Sequence, residues 1–140
     1  MKYIYSTVKT RKTIEFEYRR LEDRYVPIIE VKLLHNGKYT KTLAYVDSGA
    51  TTSIFHTDIA KSLGINYKKG EKRYPMGVSG HILTYLNKIK MEIADVSTDC
   101  NVLFSDEFIP RFNLLGREDI FNHFKVCFDD RERTLTFIKK

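Results

Sequence analysis

The sequence has little of what marks a secreted, membrane-spanning or metal-binding protein. It contains two cysteines in 140 residues, and no apolar run approaches the roughly 18–20 residues needed to cross a bilayer. Residues 1–12 are polar and basic and lack the apolar segment of a secretory signal. These absences predict a chain without a membrane partner and with a cytoplasmic location.

The cysteines and histidines show no metal-binding pattern. Cys100 and Cys127 form no CxxC pair, and both lie in apolar stretches, so we expect buried free thiols in preference to a disulfide. The histidines are dispersed without the spacing of zinc ligands, and no metal site is predicted. The four are His35, His56, His81 and His123.

The charge balance is basic, with 24 lysines and arginines against 18 acids, a net charge of +6 and a pI near 9.3. Such a balance could serve an acidic partner such as nucleic acid. The basic residues are scattered, however, and no long basic run or mixed aromatic and basic signature occurs. A solvated surface is the preferred interpretation, and no nucleic-acid partner is expected.

Hydrophobic alternation with a period of two dominates what is present. It occurs over residues 14–18, 29–33, 88–93 and 134–137, and this pattern is typical of half-buried strands. The composition, 42% hydrophobic and 30% charged, is that of a globular domain. The pattern predicts an all-β fold of many short strands, which a closed barrel would shield from solvent.

Turn signals separate the strands, and no linker, repeat or low-complexity segment is present. Asn36-Gly37 predicts a tight hairpin, because both residues tolerate positive φ. Residues 129–133 predict the turn of a last hairpin. Residues 1–25 are highly charged, and we interpret them as an N-terminal extension with one strand, followed by a single domain over 26–140.

Two short segments depart from the period of two and predict helices. The first covers residues 57–63, with Thr57 as its N-cap and Gly64 just beyond its end. The second covers residues 118–124, with acids in its first turn. Its core-facing side chains are expected to be Ile120, Phe121 and Phe124.

A short segment in the first half of the chain carries the chemistry. An apolar strand leads into Asp47, which is followed by Ser48, Gly49, Ala50 and Thr51. An acid at the end of a buried strand is costly unless the site stabilises its charge. The glycine allows a sharp turn, and the serine can hydrogen-bond to the backbone. The same residue types are favoured in ordinary turns, so this stretch alone also fits a plain turn.

Asp47-Ser48-Gly49-Ala50 resembles the active-site loop of the retropepsin-like aspartic proteases, in which Asp-Thr/Ser-Gly-Ala carries the catalytic acid. Two later segments occur in the order that this family requires. The resemblance covers roughly residues 26–139. It implies a closed, barrel-like all-β fold with one or two short helices, and Asp47 as the catalytic residue.

The first later segment resembles the flap, a β-hairpin with a glycine-rich tip that folds over bound substrate in this family. Its glycines would let the tip bend. An ordinary hairpin with a bulge is the other interpretation of the same glycines. The segment consists of Met76, Gly77, Val78, Ser79, Gly80 and His81.

The second later segment resembles the family's motif of two apolar residues and a glycine, which packs under the catalytic loop. It consists of Leu114, Leu115, Gly116 and Arg117. In many viral members an acid four residues after the catalytic one pairs with this arginine. Here that position is Thr51, so the resemblance supplies no partner for the arginine, which could also be a surface residue.

Aspartic protease chemistry needs two carboxyl groups that share one water. Since Asp-Ser-Gly occurs once in the chain, the resemblance implies a two-fold homodimer in which each Asp47 meets its mate. The predicted function is an aspartic endopeptidase that hydrolyses polypeptide substrates, prefers extended apolar segments and needs no cofactor.

Other classes of function stay open at this stage. The same fold could serve as a non-catalytic dimeric module for peptide binding or assembly. A basic dimer could bind nucleic acid, which a steep salt dependence of binding would reveal. A Ser-His-Asp triad is disfavoured because the sequence has no nucleophile elbow.

Overall fold

The computed structural model describes residues 12–77, 80–108 and 110–140. Across these ranges the regular structure is almost all β-strand, which confirms the predicted fold class. The helical elements are α1 (Thr57–Ser62) and a 3-10 turn (Tyr67–Lys69). The strands are β1 (Thr13–Glu17), β2 (Arg19–Leu21), β3 (Arg24–Val26), β4 (Ile28–His35), β5 (Lys38–Val46), β6 (Ser53–His56), β7 (Glu71–Arg73), β8 (Met76–Gly77), β9 (Gly80–His81), β10 (Thr84–Ile93), β11 (Val96–Ser105), β12 (Asn113–Leu115), β13 (Phe124–Asp129) and β14 (Thr134–Lys139).

Six strands close into a barrel, in agreement with the predicted architecture. Their order is β11-β6-β12-β5-β4-β10, and β10 pairs back to β11. The short β7 continues the sheet beside β10. Most neighbours are antiparallel, but β12 runs parallel to β5, and β6 runs parallel to β11. Closure leaves the six strands without an exposed edge between them.

The period of two in the sequence places alternate side chains inside the barrel. Along β4, Ile29, Val31 and Leu33 are almost completely buried, while Glu30 between them is exposed. β10 repeats the pattern with buried residues at 89, 91 and 93. Successive side chains of a strand point to opposite faces, so one set of alternate side chains fills the inside of the barrel and the other set lies on its outside.

The predicted turns form where the sequence placed them. Asn36 and Gly37 have φ values of 47° and 80° and join β4 to β5 as a two-residue turn. The turn between β13 and β14 covers residues 130–133, within the predicted range. Arg133 closes it with a φ of 57°.

The first predicted helix is confirmed as α1, but its predicted cap is wrong. His56 occupies the N-cap position without a side-chain hydrogen bond to the helix. The Thr57 hydroxyl instead donates to Asp106 Oδ1 at 2.9 Å. Gly64 follows the helix with a φ of 70°, as predicted. A carboxylate at the end of β11 therefore competes successfully with the helix for this hydroxyl.

The second predicted helix is wrong, because residues 118–123 form a series of turns and β13 begins at Phe124. Asp119 takes a φ of 65°, which interrupts a helix. Its carboxylate accepts a hydrogen bond from the Asn101 amide at 2.8 Å. The predicted apolar side is nevertheless buried at Ile120 and Phe124, which are 0% and 1% exposed, and Phe121 is half-buried.

A smaller antiparallel sheet, in the order β1-β14-β13, packs on the barrel core through its aromatic residues. Phe137 contacts Phe16 and Phe124 in edge-to-face geometry, at 5.6 and 5.2 Å between ring centroids. β1 thus pairs with the last strand of the chain. The predicted division at residue 25 stays a prediction, and residues 1–11 lie outside the described part of the chain.

The two cysteines occupy different environments. Cys100 is fully buried, as predicted, and burial together with the neighbouring Asp119 and Asp99 carboxylates raises the pKa of its thiol to about 12. Cys127 is exposed, so its predicted burial is wrong. It lies on β13, at the edge of the smaller sheet, with its side chain toward solvent. Both thiols are free.

No helix in the described part of the chain is long and apolar enough to span a bilayer.

Candidate active site

Asp47 lies directly after the last residue of β5, on a half-buried loop whose backbone is held on both sides. Its amide donates to the Leu115 carbonyl oxygen at 3.0 Å. The Gly49 amide donates to Asp47 Oδ1 at 2.9 Å, and the Ala50 amide donates to the Asp47 carbonyl oxygen at 3.2 Å. These bonds fix the direction in which the carboxylate points.

The segment that follows β12 holds this loop from the other side. The amides of Arg117 and Glu118 donate to the carbonyl oxygens of Ala50 and Thr51 at 2.9 and 2.8 Å. Gly116 lies so close to the loop that a Cβ there would be 2.6 Å from the Thr52 carbonyl carbon. A side chain at residue 116 would therefore force the two segments apart.

Buried polar side chains that no sequence motif indicated complete this arrangement. Ser53 is 1% exposed, and its Oγ accepts from the Gly116 amide at 2.9 Å. Asn113, 4% exposed, donates to the Leu43 carbonyl oxygen and accepts from the His56 amide, both at 2.9 Å. In the sequence, the available signal for this role was the position of Asn113 directly before the apolar pair. An asparagine in such a place is buried only if its amide group has hydrogen-bond partners.

The apolar pair of the second motif lies on β12, between the strand that precedes the loop and the strand that follows it. Leu115 is fully buried and pairs in register with Val46, while Leu114 pairs with both Tyr45 and Ile54. A strand in this position connects the two ends of the loop through backbone hydrogen bonds. The predicted loop support thus lies next to the loop.

Arg117 and Thr51 both take part in the link between the two segments through backbone groups. The Arg117 side chain is exposed and makes no ion pair with any described residue. The neighbouring Thr52 hydroxyl donates to Glu118 Oε2 at 3.0 Å, which gives a polar side-chain link between the two segments. The two segments are thus joined by backbone hydrogen bonds and by this side-chain bond, and not by an acid–arginine pair.

The segment with the glycines forms a hairpin, as the sequence predicted. β8 and β9 pair Met76 with His81 and Gly77 with Gly80, and Gly80 has a φ of 97°. Between them lie residues 78–79, which are outside the described part of the chain. The His81 ring nitrogen Nδ1 lies 2.9 Å from the Tyr74 carbonyl oxygen, so it donates across the hairpin.

Two buried hydroxyls anchor the base of this hairpin to the barrel. Thr84 is fully buried, and its hydroxyl donates to the Arg73 carbonyl oxygen at 2.9 Å. Ser105, at the end of β11, donates to the Leu83 carbonyl oxygen at 2.6 Å and accepts from the Glu107 amide at 3.0 Å. Both arms of the hairpin are thus fixed where they leave the barrel, while Met76 near the tip is 74% exposed.

A cleft of about 560 Å³ opens beside the loop, and Asp47 and Ser48 both line it. Part of its wall comes from the N-terminal residues before β4. The Tyr18 hydroxyl donates to Asp130 Oδ1 at 2.8 Å, and burial together with this carboxylate raises the tyrosine pKa to about 12. The Arg133 guanidinium lies 3.8 Å from the centre of the Tyr25 ring.

The site offers one carboxylate for acid–base chemistry. A carboxylate in a fixed orientation faces a cleft, and an anchored hairpin of the predicted flap sequence is present. Within the described residues no cluster of three or more histidine, cysteine or acidic side chains could hold a metal ion.

Comparisons with known proteins agree with this architecture. A family profile described as aspartyl protease matches residues 29–118. EIAV protease, solved in complex with the inhibitor HBY-793, is 24% identical with a TM-score of 0.55, and the alignment covers 74% of this chain and 92% of that one. A retropepsin-like aspartic protease from Rickettsia conorii is 16% identical with a TM-score of 0.64, covering 94% and 97%. At these levels of sequence identity, the two structures support the fold alone. A search of curated protein sequences gives no match.

Proposed function

Because this chain belongs to the aspartyl protease family and has the retropepsin-like fold, we propose that it is an aspartic endopeptidase whose active site forms between two copies. The observation that carries the proposal is the position of Asp47. Its carboxylate is held by the Gly49 amide on a loop fixed by Gly116 and opens to a cleft. A plain turn would need neither the second segment nor the cleft.

A second copy supplies the second acid. The sequence Asp-Ser-Gly occurs once, so one chain carries one candidate catalytic carboxyl. A two-fold axis near the loop places each Asp47 opposite its own equivalent. Two carboxyls in contact do not ionise together at low cost, so the proposed pair shares one proton.

The shared proton lets the pair act as base and acid in one step. The ionised carboxylate takes a proton from a water whose oxygen attacks the scissile carbonyl carbon, while the protonated carboxyl donates to the carbonyl oxygen. The tetrahedral intermediate then breaks its C–N bond: the protonated carboxyl donates to the leaving nitrogen while the other carboxylate takes a proton from a hydroxyl of the intermediate, so the pair again holds one proton. Pepsin uses the same arrangement of two acids, and no cofactor takes part.

The other residues of the site hold the reactants. Ser48 lines the cleft beside the acid and links the paired loops through its hydroxyl, and Gly49 leaves room for the substrate backbone. The hairpin with Gly77 and Gly80 covers the substrate. Backbone hydrogen bonds to an extended peptide supply affinity, while side-chain pockets supply preference for apolar segments.

The test is cleavage of a mixed peptide library at pH values from about 3.5 to 7.5, with Asp47→Asn as the comparison. We expect cleavage by the wild type and a loss of at least about 10³-fold in the variant, because asparagine cannot accept the proton. Circular dichroism and sedimentation should show the same fold and dimer in both. Equal cleavage by the two proteins would refute the proposed mechanism.

A further inference from the structure

The hairpin of β8 and β9 leaves the barrel through two short arms that belong to no strand. Residues 74–75 connect β7 to β8, and residues 82–83 connect β9 to β10. Between the arms, the Ile82 amide donates to the Pro75 carbonyl oxygen at 3.4 Å, which is long for a hydrogen bond. The position of the arms therefore depends on the contacts that the barrel offers them.

Leu83, in the second arm, is bound on both sides of its backbone by the segment that ends β11. The Ser105 hydroxyl donates to the Leu83 carbonyl oxygen at 2.6 Å, and the Leu83 amide donates to Glu107 Oε1 at 3.5 Å. The same serine oxygen accepts from the Glu107 amide at 3.0 Å. Ser105 is 1% exposed, so a buried side chain uses its donor and an acceptor position to join this arm to the barrel.

The first arm has an anchor of the same kind. Thr84 is fully buried, and its hydroxyl donates to the carbonyl oxygen of Arg73, the residue opposite it in the pairing of β10 with β7. Arg73 is the last residue before this arm begins. Each arm of the hairpin is thus held by one buried hydroxyl that donates to a backbone carbonyl oxygen.

The strand beside Ser105 also supports the active-site loop. β11 runs parallel to β6, with Ser105 opposite His56 and Val102 opposite Ser53. The Ser53 hydroxyl oxygen accepts from the Gly116 amide, in the segment that holds the loop. The two contacts are separated by about 10 Å along the strands. Two neighbouring strands therefore carry both the support of the loop and the anchor of the hairpin.

We propose that Ser105 and Thr84 are positioning residues, whose hydroxyls fix where the hairpin leaves the barrel and so hold it over a bound polypeptide. This inference rests on the proposed function, in which the hairpin covers the substrate. Without its hydroxyl partner, a carbonyl oxygen in the arm turns toward water to regain a hydrogen bond. The hairpin then covers the substrate for a smaller fraction of the time, and the apparent affinity falls by that fraction.

The first test separates KM from kcat on a slowly cleaved peptide, for which KM reports affinity. Ser105→Ala and Thr84→Val remove a hydroxyl, whereas Ser105→Thr and Thr84→Ser keep it. We expect the hydroxyl-free variants to raise KM about fivefold and to keep kcat per folded chain within about twofold, because the covered complex reacts as before. The hydroxyl-retaining variants should stay near the wild type. Gly37→Ala, strained by its φ of 80° in the turn before β5, is the stability control and should leave KM unchanged.

The second test measures hydrogen exchange by NMR and needs no cleavage. In Ser105→Ala and Thr84→Val, amides of residues 74–77 and 80–83 should exchange about tenfold faster than in the wild type, while those of α1 keep their rates. If one variant fails to fold, the other carries the test. An unchanged KM or unchanged exchange in the hydroxyl-free variants would overturn the inference. Equal effects in the hydroxyl-retaining variants, or faster exchange throughout the domain, would overturn it as well.

The two measurements distinguish this inference from the protease function. If the wild type cleaves no peptide, binding of a fluorescein-labelled peptide library, measured by anisotropy, takes the place of KM. Weaker binding and faster hairpin exchange in the hydroxyl-free variants would then support the anchors while the protease function is refuted. Cleavage with the same KM in every folded variant would do the reverse.

Discussion

At the scale of single residues, two glycines of the active site lack a side chain for different reasons. Gly49 and Gly116 illustrate two different demands. A Cβ at residue 49 would be 3.2 Å from Asp47 Oδ1, which a small shift of the carboxylate could relieve. A Cβ at residue 116 would meet backbone atoms of Thr52, which cannot move without the loop. Gly116 is thus a requirement of packing, and Gly49 a requirement of carboxylate geometry.

Gly116→Ala should therefore lower the free energy of unfolding by about 1–3 kcal/mol, the usual range for overpacking. It should also displace the loop and reduce cleavage by more than the loss of folded protein explains. Urea denaturation and peptide cleavage, measured on the same samples, separate the two effects. A Gly116→Ala protein as stable and active as the parent would contradict the close approach.

Gly37→Ala is the control that changes stability alone. Its φ of 80° strains an alanine, but no atom lies within 4 Å of a Cβ at residue 37, so no neighbouring segment is displaced. The turn that it occupies precedes β5, whereas Asp47 follows that strand. Cleavage by Gly37→Ala should therefore fall only as far as its folded fraction falls.

The two cysteines should differ in reactivity. Cys127 is exposed and free, whereas Cys100 is buried with a thiol pKa raised to about 12 by burial and by neighbouring acids. Because the thiolate is the reactive form, Cys100 stays protonated and unreactive in the folded protein at neutral pH. A thiol reagent such as DTNB should modify one thiol quickly in the native state and two after unfolding. Rapid modification of both native thiols, or of neither, would contradict this assignment.

At the scale of elements, short helical pieces are held by single acidic side chains. Asp106 accepts hydrogen bonds from Thr57 of α1 and from the Tyr67 hydroxyl of the 3-10 turn. These bonds lower the pKa of its carboxyl below the ordinary value of 3.8. Asp119 also bonds to a segment distant in sequence. Its carboxylate accepts from the Asn101 amide, within the turns that form where a helix was predicted.

The lowered pKa of Asp106 predicts a pH-dependent contribution to stability. A carboxyl with a depressed folded pKa stabilises the fold above its unfolded pKa, and this contribution is lost as pH falls through the folded pKa. Asp106→Asn should therefore lower Tm at pH 6 and have a smaller effect near pH 3. Asp58→Asn, at an exposed acid in the same helix as Thr57, is the control and should change Tm less at pH 6. A difference in Tm between Asp106→Asn and wild type that is equal at both pH values would contradict the prediction.

At the scale of the whole molecule, the barrel supplies one loop with one acid, so the proposed activity depends on association. Specific activity should rise with protein concentration and reach a plateau as dimers form. Enzyme assays across a dilution series, beside sedimentation of the same samples, measure this. Activity per chain that is constant down to the monomer range would contradict a shared site.

Mixing gives a second measurement of the shared site. After exchange of equal amounts of wild type and Asp47→Asn, random pairing leaves about one quarter of dimers with two aspartates. Activity should then fall to about half that of the same wild-type protein kept unmixed. Asp58→Asn, mixed in the same way, should cause no fall. A mixture that keeps full activity would show that each chain acts alone.

The sequence by itself determined the strands, the barrel and the identity of the loop. Alternation along residues 29–33 and 88–93 reports burial directly, because a strand has a period of two wherever it lies. The turn at Asn36-Gly37 follows from backbone sterics that involve no distant residue. Asp47-Ser48-Gly49 and the apolar pair before Gly116 are local patterns whose order along the chain is visible without coordinates.

What the tertiary structure decided are the contacts between segments far apart in sequence. The cap at Thr57 and the helix over 118–124 were predicted from local rules and are wrong, because Asp106 and Asn101 offered competing partners. The exposure of Cys127 follows from the position of β13 at a sheet edge. The wall that Tyr25 and Arg133 form beside Asp47 joins residues 108 positions apart (133 minus 25), and no local pattern encodes such a pairing.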